Sequence, residues 1–220
     1  MRSAFLNFPK NNMKKPREVG YKELEIDFPG FGDSGVLSYD MPPKYGQMSL
    51  NELAILARII ESVKPTNIFE FGRCDGATSC QLALSAPKAQ VITLDLPEAM
   101  GIYATSNSCN AIERWTKFGV VNRIVELLID SRHLNVKDYL DSFDVVLIDA
   151  GHELDEIKMD TENAYKMLKS GGLVVWHDYQ KRSFPAVTSF LAANSVELGI
   201  RWVNSREEYL ETSLCYAFKE

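Results

Sequence analysis

Two aspartate–histidine pairs carry the chemistry this chain could do. Asp149-Ala150-Gly151-His152 follows the apolar run Val145-Val146-Leu147-Ile148, and His177-Asp178 follows Leu173-Val174-Val175-Trp176. Short apolar runs of this kind read as buried strands, so both pairs sit where a strand hands over to a loop. A hydroxyl is a poor nucleophile until it loses its proton, and an imidazole with a pKa near ~6.5 suits the base that removes it. A divalent metal held by the carboxylates would lower the pKa of such a hydroxyl and orient it. Asp149 and His152 are the candidate catalytic residues; Asp149, His177 and Asp178 are the candidate metal ligands. Magnesium prefers oxygen ligands, and including His177 moves the preference to manganese, iron or zinc. Each residue has a structural alternative. His152 could cap a helix starting near Leu154, Asp149 and Asp178 could cap the helices that follow them, and His177 could only tie down a loop.

A third stretch, Ile68-Phe69-Glu70-Phe71-Gly72-Arg73-Cys74-Asp75-Gly76, reads as a buried strand, a glycine turn and the start of a helix over 77–86. Glycine permits the sharp turn, and its missing side chain leaves room for a ligand against the backbone. The helix points free N–H groups and its positive dipole end at the turn. Asp95 closes the next apolar run about 20 residues later, where an acid can bind both hydroxyls of a ribose. The candidate cofactor contacts around this turn are Glu70, Gly72, Arg73, Cys74, Gly76, Asp95, Leu96 and Asp149. Glu70 could instead bond loop amides, and Asp130 could cap the helix after it. The pairing of glycine turn and distant acid points to an adenosine-bearing cofactor. A dinucleotide fingerprint would place glycines where Cys74 and Ala77 stand.

The pattern acid-x-Gly-x-x-x-Gly, with Glu70 ahead of Gly72 and Gly76, resembles the first motif of the class I S-adenosylmethionine-dependent methyltransferases. Asp95, Asp130-Ser131, Asp149 to His152 and His177-Asp178 follow in the order seen in the branch that acts on sugars and other small molecules. The resemblance spans about residues 48–180. It implies S-adenosylmethionine at the glycine turn, its ribose on Asp95, Asp130-Ser131 beside its adenine, and methylation of a hydroxyl on a small acceptor such as a sugar or natural product. Relatives in that branch often hold a divalent metal, magnesium or manganese, through acids at these two strand ends. They carry an acidic pair where this chain has His177-Asp178, which leaves the metal open. Two other readings stand beside this one: an NAD(P)-dependent oxidoreductase on a related sheet, and a non-catalytic cofactor-binding protein of the same fold.

The elements that must position these residues alternate along the chain. Ser49-Leu50-Asn51-Glu52 fits a capping box, and apolar residues from Leu50 to Val63 then recur at helical spacing. Strands are expected near 68–71, 91–95, 123–129, 144–149 and 172–177, and helices near 77–86, 107–118, 134–141, 154–169 and 185–195. A closing pair of strands is expected near 200–203 and 213–218, and the pair Gly171-Gly172 is read as the end of a helix. Near-continuous apolar strands indicate burial on both faces of a parallel sheet. The expected fold is a Rossmann-like, doubly wound α/β sandwich: a mostly parallel seven-stranded sheet with an antiparallel C-terminal strand. Residues 1–46 read as an irregular leader or lid, and 47–220 as the methyltransferase-like domain.

Several features are assigned no chemistry. Gly32-Asp33-Ser34-Gly35 lacks a leading strand and reads as a turn rather than a nucleophile motif. Tyr165 and Lys169 have a dehydrogenase-like spacing but are read as neighbours on one helix. His133 is read as a surface residue, and Cys74, Cys80, Cys109 and Cys215 as buried free thiols in a reducing compartment. The net charge of −6 argues against a nucleic-acid partner. The absence of a long apolar stretch argues against a membrane and places the protein in the cytoplasm. The expected partner is a small-molecule substrate, and the sequence leaves room for a homo-oligomer.

Overall fold

The computed structural model describes residues 14–31, 48–97 and 111–220. Its strands are β1 (Arg17–Val19), β2 (Asn67–Phe71), β3 (Gln90–Asp95), β4 (Ile124–Leu128), β5 (Phe143–Ile148), β6 (Leu168–Trp176), β7 (Arg201–Ser205) and β8 (Leu210–Phe218). Its helices are α1 (Tyr21–Asp27), α2 (Leu50–Val63), α3 (Ala77–Ser85), α4 (Ala111–Lys117), α5 (Leu154–Met167) and α6 (Pro185–Asn194). Among the described residues the strands form one sheet in the order β1-β7-β8-β6-β5-β2-β3-β4. Strands β4, β3, β2, β5 and β6 are parallel, β8 is antiparallel to β6 and β7, and β1 is parallel to β7.

The order reverses between β2 and β5, which makes the C-terminal ends of those strands the place for a ligand. The register lines the ends up. Phe71 lies opposite both Leu94 and Ile148, and Ile148 lies opposite Trp176. Backbone bonds then carry the ladder one step further: Gly72 N–H donates to Leu94, Asp149 N–H to Phe71 and His177 N–H to Ile148. Gly72, Asp95, Asp149 and His177 thus stand in a row along one rim.

Alternation decides which face each rim residue joins. Ile68, Val145, Leu147, Leu173 and Val175 pack with α2 and α3 in one core, and Phe69, Phe71, Val146, Ile148, Val174 and Trp176 pack with α5 and α6 in the other. Continuing the parity sends Glu70 and His177 toward the α2–α3 face. Helix α2 starts as the sequence predicts, with Ser49 and Glu52 satisfying each other's backbone N–H groups, and it ends at Lys64 in the left-handed conformation. Arg123 donates to the carbonyls of Ala83 and Ala86, closing the C-terminal end of α3.

Five expectations are corrected. Part of the stretch read as irregular is regular: β1 adds an eighth strand by pairing with Arg201–Val203, and α1 buries Leu24 in the core. The helix expected over 134–141 is two short 3₁₀ turns, Ser131–His133 and Val136–Tyr139. There the Asn135 side chain donates to Asp138, a local bond that competes with helix propagation. Gly171-Gly172 does not end α5, which stops at Met167; the pair lies within β6 and exchanges backbone bonds with Lys219. Lys169 is therefore on a strand, paired with Asp144, and does not share a helix with Tyr165. The Gly32–Gly35 turn and Cys109 lie outside the described residues. Cys80 and Cys215 are buried, whereas Cys74 is exposed. His133 is exposed as read. Among the described residues no helix is long and apolar enough to cross a membrane.

Candidate active site

The glycine turn is held by the protein's own backbone. Gly72 has φ +97°, and a Cβ there would lie 1.9 Å from the carbonyl oxygen of Asp149. Gly76 has φ +73°, and a Cβ there would lie 2.7 Å from Ala111 Cβ and 2.9 Å from Trp115 Nε1. Both glycines are thus required by the neighbouring strand end and by α4. The sharp turn expected of these glycines is observed, with positive φ at both, and the protein's own atoms add a second constraint on each. Asp75, buried, caps Ala77 N–H and pairs with Arg114 at 2.8 Å, which ties the turn to α4.

Asp95 reaches back across the turn. Its Oδ2 accepts from Cys74 N–H at 2.8 Å and from Arg73 N–H at 3.3 Å, and its Oδ1 accepts from Leu96 N–H at 2.7 Å. Arg73 and Leu96 thus enter the site through their amides. The Arg73 guanidinium turns away to Glu126 on β4, 2.9 Å distant. Asp130 accepts from the backbone and side chain of Arg132, so it caps the 3₁₀ turn that contains Ser131. The Arg132 bonds hold the Asp130 carboxyl below the usual carboxylate range against a smaller cost of burial.

Glu70 does not face the rim. It is 1% exposed, and the Thr93 hydroxyl donates to it. Burial pushes its carboxyl from 4.5 up to about 8, and Asp149 and Asp95 add to the effect. Below pH 4.5 the proton is bound whether the chain is folded or not. Between 4.5 and about 8 only the folded state holds it, so raising the pH draws stability away, and above about 8 the loss is complete. Glu70→Gln carries no such proton. Urea unfolding from pH 5 to 9 is expected to show wild type losing up to ~4 kcal/mol relative to this variant. Parallel curves would refute a buried, protonated Glu70.

The two histidines occupy different environments. His177 is buried, with Nδ1 3.0 Å from Asp149 Oδ1 and 3.2 Å from Asp178 Oδ1, and Nε2 3.5 Å from Glu52 Oε2. Burial alone would lower its pKa, but the three carboxylates hold it well above the usual histidine value. His152 is partly exposed, with Nε2 2.7 Å from Asp178 Oδ2, and its ring stacks on Phe184 at 3.7 Å between centroids. Burial would likewise raise Asp178, but His152 and His177 bring it down to about 2. The helix caps open to Asp149, His152 and Asp178 are not what is observed, since α5 is capped by Glu153 with Glu156 and α6 starts after Phe184 with Pro185 in its first turn, whereas His177 does bond to the residues that follow β5 and β6.

A second grouping of possible ligand atoms stands beside the expected set of Asp149, His177 and Asp178. Ligand atoms of Asp149, His152 and Asp178 all lie within 4.8 Å of one another, whereas His177 turns Nδ1 onto those same carboxylates. These residues line a recess whose sides include Ile157 and Val187. Sequence reasoning did not find Glu52 or Phe184 as site residues. Glu52 signals only a helix cap, and Phe184 lies in a loop without period.

An open, mostly parallel sheet with a glycine turn, an acid on the next strand and two acidic loops meeting at its switch point is the architecture of the class I methyltransferases. The model of methyltransferase domain family 24 matches residues 69–179, half of the chain, and the chain belongs to that family. The oxidoreductase reading falls away with it. No curated protein matches the chain. Among solved structures, the chain is similar to the O-methyltransferase TomG from Streptomyces achromogenes in complex with S-adenosylmethionine, with 15% identity, a TM-score of 0.60, and coverage of 79% of this chain and 82% of that one. It is also similar to an O-methyltransferase from Bacillus cereus in complex with S-adenosylhomocysteine, with 14% identity, a TM-score of 0.61, and coverage of 80% and 84%. At these identities the likeness is one of fold.

Proposed function

We propose that this methyltransferase moves the methyl group of S-adenosylmethionine to a hydroxyl on a small acceptor, with His152 as the base. The observation that carries the reading is the His152–Asp178 pair at 2.7 Å, on the same rim as the glycine turn and Asp95. The residues fit the cofactor. Asp95 is partly exposed at the end of β3, and a carboxylate that accepts backbone N–H groups keeps lone pairs for ribose hydroxyls. Asp95, Asp149 and Asp178 outnumber His177 on the rim, so the cleft favours a sulfonium cation and disfavours the pyrophosphate of a dinucleotide. Both relatives named above are O-methyltransferases with this cofactor or its product bound, which supports oxygen as the acceptor atom.

With Nε2–H donated to Asp178, the His152 ring presents Nδ1 as a free lone pair. Phe184 fixes the plane of the ring. Asp178 orients the imidazole and stabilises it once it is charged, as the carboxylate does in a base dyad. The acceptor oxygen forms its bond to the methyl carbon as the carbon–sulfur bond breaks, and the hydroxyl proton passes to Nδ1 of His152. The rim must hold acceptor and donor close and in line for this displacement.

A divalent metal fits as well. Asp149, His152 and Asp178 would hold it, a donor set of two oxygens and one nitrogen that suits manganese or zinc better than magnesium. When bound, it would act as a Lewis acid on the acceptor oxygen.

Isothermal titration with S-adenosylhomocysteine and with NAD(P) tests the cofactor. Binding of the first and not the second is expected, and Asp95→Ala is expected to weaken it by about 10-fold to 100-fold through loss of two charge-assisted bonds. Full affinity in Asp95→Ala would refute the ribose contact, and NAD(P) binding alone would refute the whole reading.

A further inference from the structure

We propose that Arg114 and Trp115, on helix α4 and outside the cofactor contacts named above, are positioning residues for the cofactor: they hold the glycine turn in the shape that receives it. The inference deepens the reading of that turn as the seat of S-adenosylmethionine and rests on it. The turn is not a shape the chain adopts unaided. Gly72, Cys74 and Gly76 all have positive φ, +97°, +48° and +73°, and Cys74 carries a side chain. An L-residue persists there only where its surroundings over-determine it. On one side those surroundings are Asp95, which accepts from Cys74 N–H at 2.8 Å. The same carboxylate is the proposed ribose ligand, so the cofactor competes for it. On the other side stands α4.

Two adjacent side chains of α4 hold two adjacent residues of the turn. Arg114 Nη2 donates to Asp75 Oδ2 at 2.8 Å, with 9% and 4% of the two side chains exposed. The other oxygen of Asp75 accepts from the N–H of Ala77, the first residue of α3, at 3.1 Å. Trp115 Nε1–H donates to the Gly76 carbonyl at 3.0 Å, and its indole is buried. That carbonyl also accepts a backbone bond of α3, from Cys80 N–H. Packing asks for neither polar group. Apolar residues of similar volume stabilise as well as a buried ion pair does, and a phenylalanine would fill much of the space of the indole. What the polar atoms add is direction. The guanidinium fixes the Asp75 side chain over the start of α3, and the indole N–H fixes the peptide plane that follows Gly76. The turn therefore has its shape before the cofactor arrives, and binding does not have to supply it.

Isothermal titration of the full chain with S-adenosylhomocysteine, well below each melting temperature, tests this. Arg114→Met is expected to raise Kd by about 10-fold to 100-fold, because the buried Asp75 carboxylate loses its cation and the turn is competent for only part of the time. Trp115→Phe keeps most of the bulk, loses one N–H and is expected to raise Kd by roughly 3-fold to 10-fold. Arg123→Met cuts the bonds at the opposite end of α3, so it is expected to lower the melting temperature with Kd unchanged, which separates positioning from stability. Wild-type affinity in either α4 variant, or an equal loss of affinity in Arg123→Met, would overturn the proposal. The indole ¹H–¹⁵N signals of wild type decide the matter even where a variant does not fold. At saturation with S-adenosylhomocysteine the Trp115 signal is expected to move, because the peptide that bears its acceptor then meets the ligand. The Trp202 signal, whose N–H donates to Thr212, is expected to stay. A Trp115 signal that stays while the ligand binds would overturn the proposal as well. No binding to wild type at all would instead sink the cofactor reading, and the proposal with it.

Discussion

His152→Ala is expected to lower turnover by roughly 10²-fold to 10⁴-fold while leaving S-adenosylhomocysteine affinity unchanged. The substitution removes the one partly exposed imidazole on the described rim and leaves the Asp95 contacts untouched, since those lie on the far side of β2 from the His152 loop. Transfer of isotopically labelled methyl from S-adenosylmethionine to a panel of sugars and phenols measures it. Unchanged turnover would remove His152 from the mechanism. Manganese titration of the same variant separates the two roles of this residue. A base that is not a ligand leaves metal affinity as it was; a ligand takes part of that affinity with it.

Gly72→Ala is expected to destabilise the fold by more than ~3 kcal/mol, and Gly119→Ala by only about 1–2 kcal/mol. Both glycines have positive φ, +97° and +69°, so both substitutions strain the backbone. At Gly119 nothing lies within 4 Å of the new Cβ, whereas at Gly72 the Cβ meets the Asp149 carbonyl at 1.9 Å. That carbonyl lies one residue past β5, where the Asp149 N–H is bonded to Phe71, and it cannot step aside without disturbing the Asp149 side chain. Urea unfolding compares the two. Equal losses would mean that β5 yields easily and that the rim is not held by close contact at this point.

The glycine turn is legible in the sequence only in part. The motif was visible from residue types and spacing, because turn chemistry is local: a strand, two glycines and a helix start declare themselves within ten residues. Asp95 was visible for the same reason, at the end of a second apolar run. Their partners were not. A strand-end acid says nothing about whether it will meet a ribose or the amides of Cys74 and Leu96, and a glycine does not announce which carbonyl will sit above it.

Local patterning was enough for the alternation of strands and helices, the doubly wound sheet, and the gathering of Gly72, Asp95, Asp149 and His177 at one edge. Apolar runs that end in polar residues place those residues at the same end of parallel strands, so the rim follows from pattern and topology together. Three-dimensional packing alone assigned the histidines. The strand parity turned His177 inward toward Glu52 and left His152, on a loop, to meet Asp178 and Phe184. It also joined β1 to β7 across more than 180 residues of chain, a pairing with no local trace in a three-residue strand. The physical reason is shared: period and propensity act over a few residues, whereas a buried imidazole takes its role from carboxylates brought to it by strands and helices far apart in sequence.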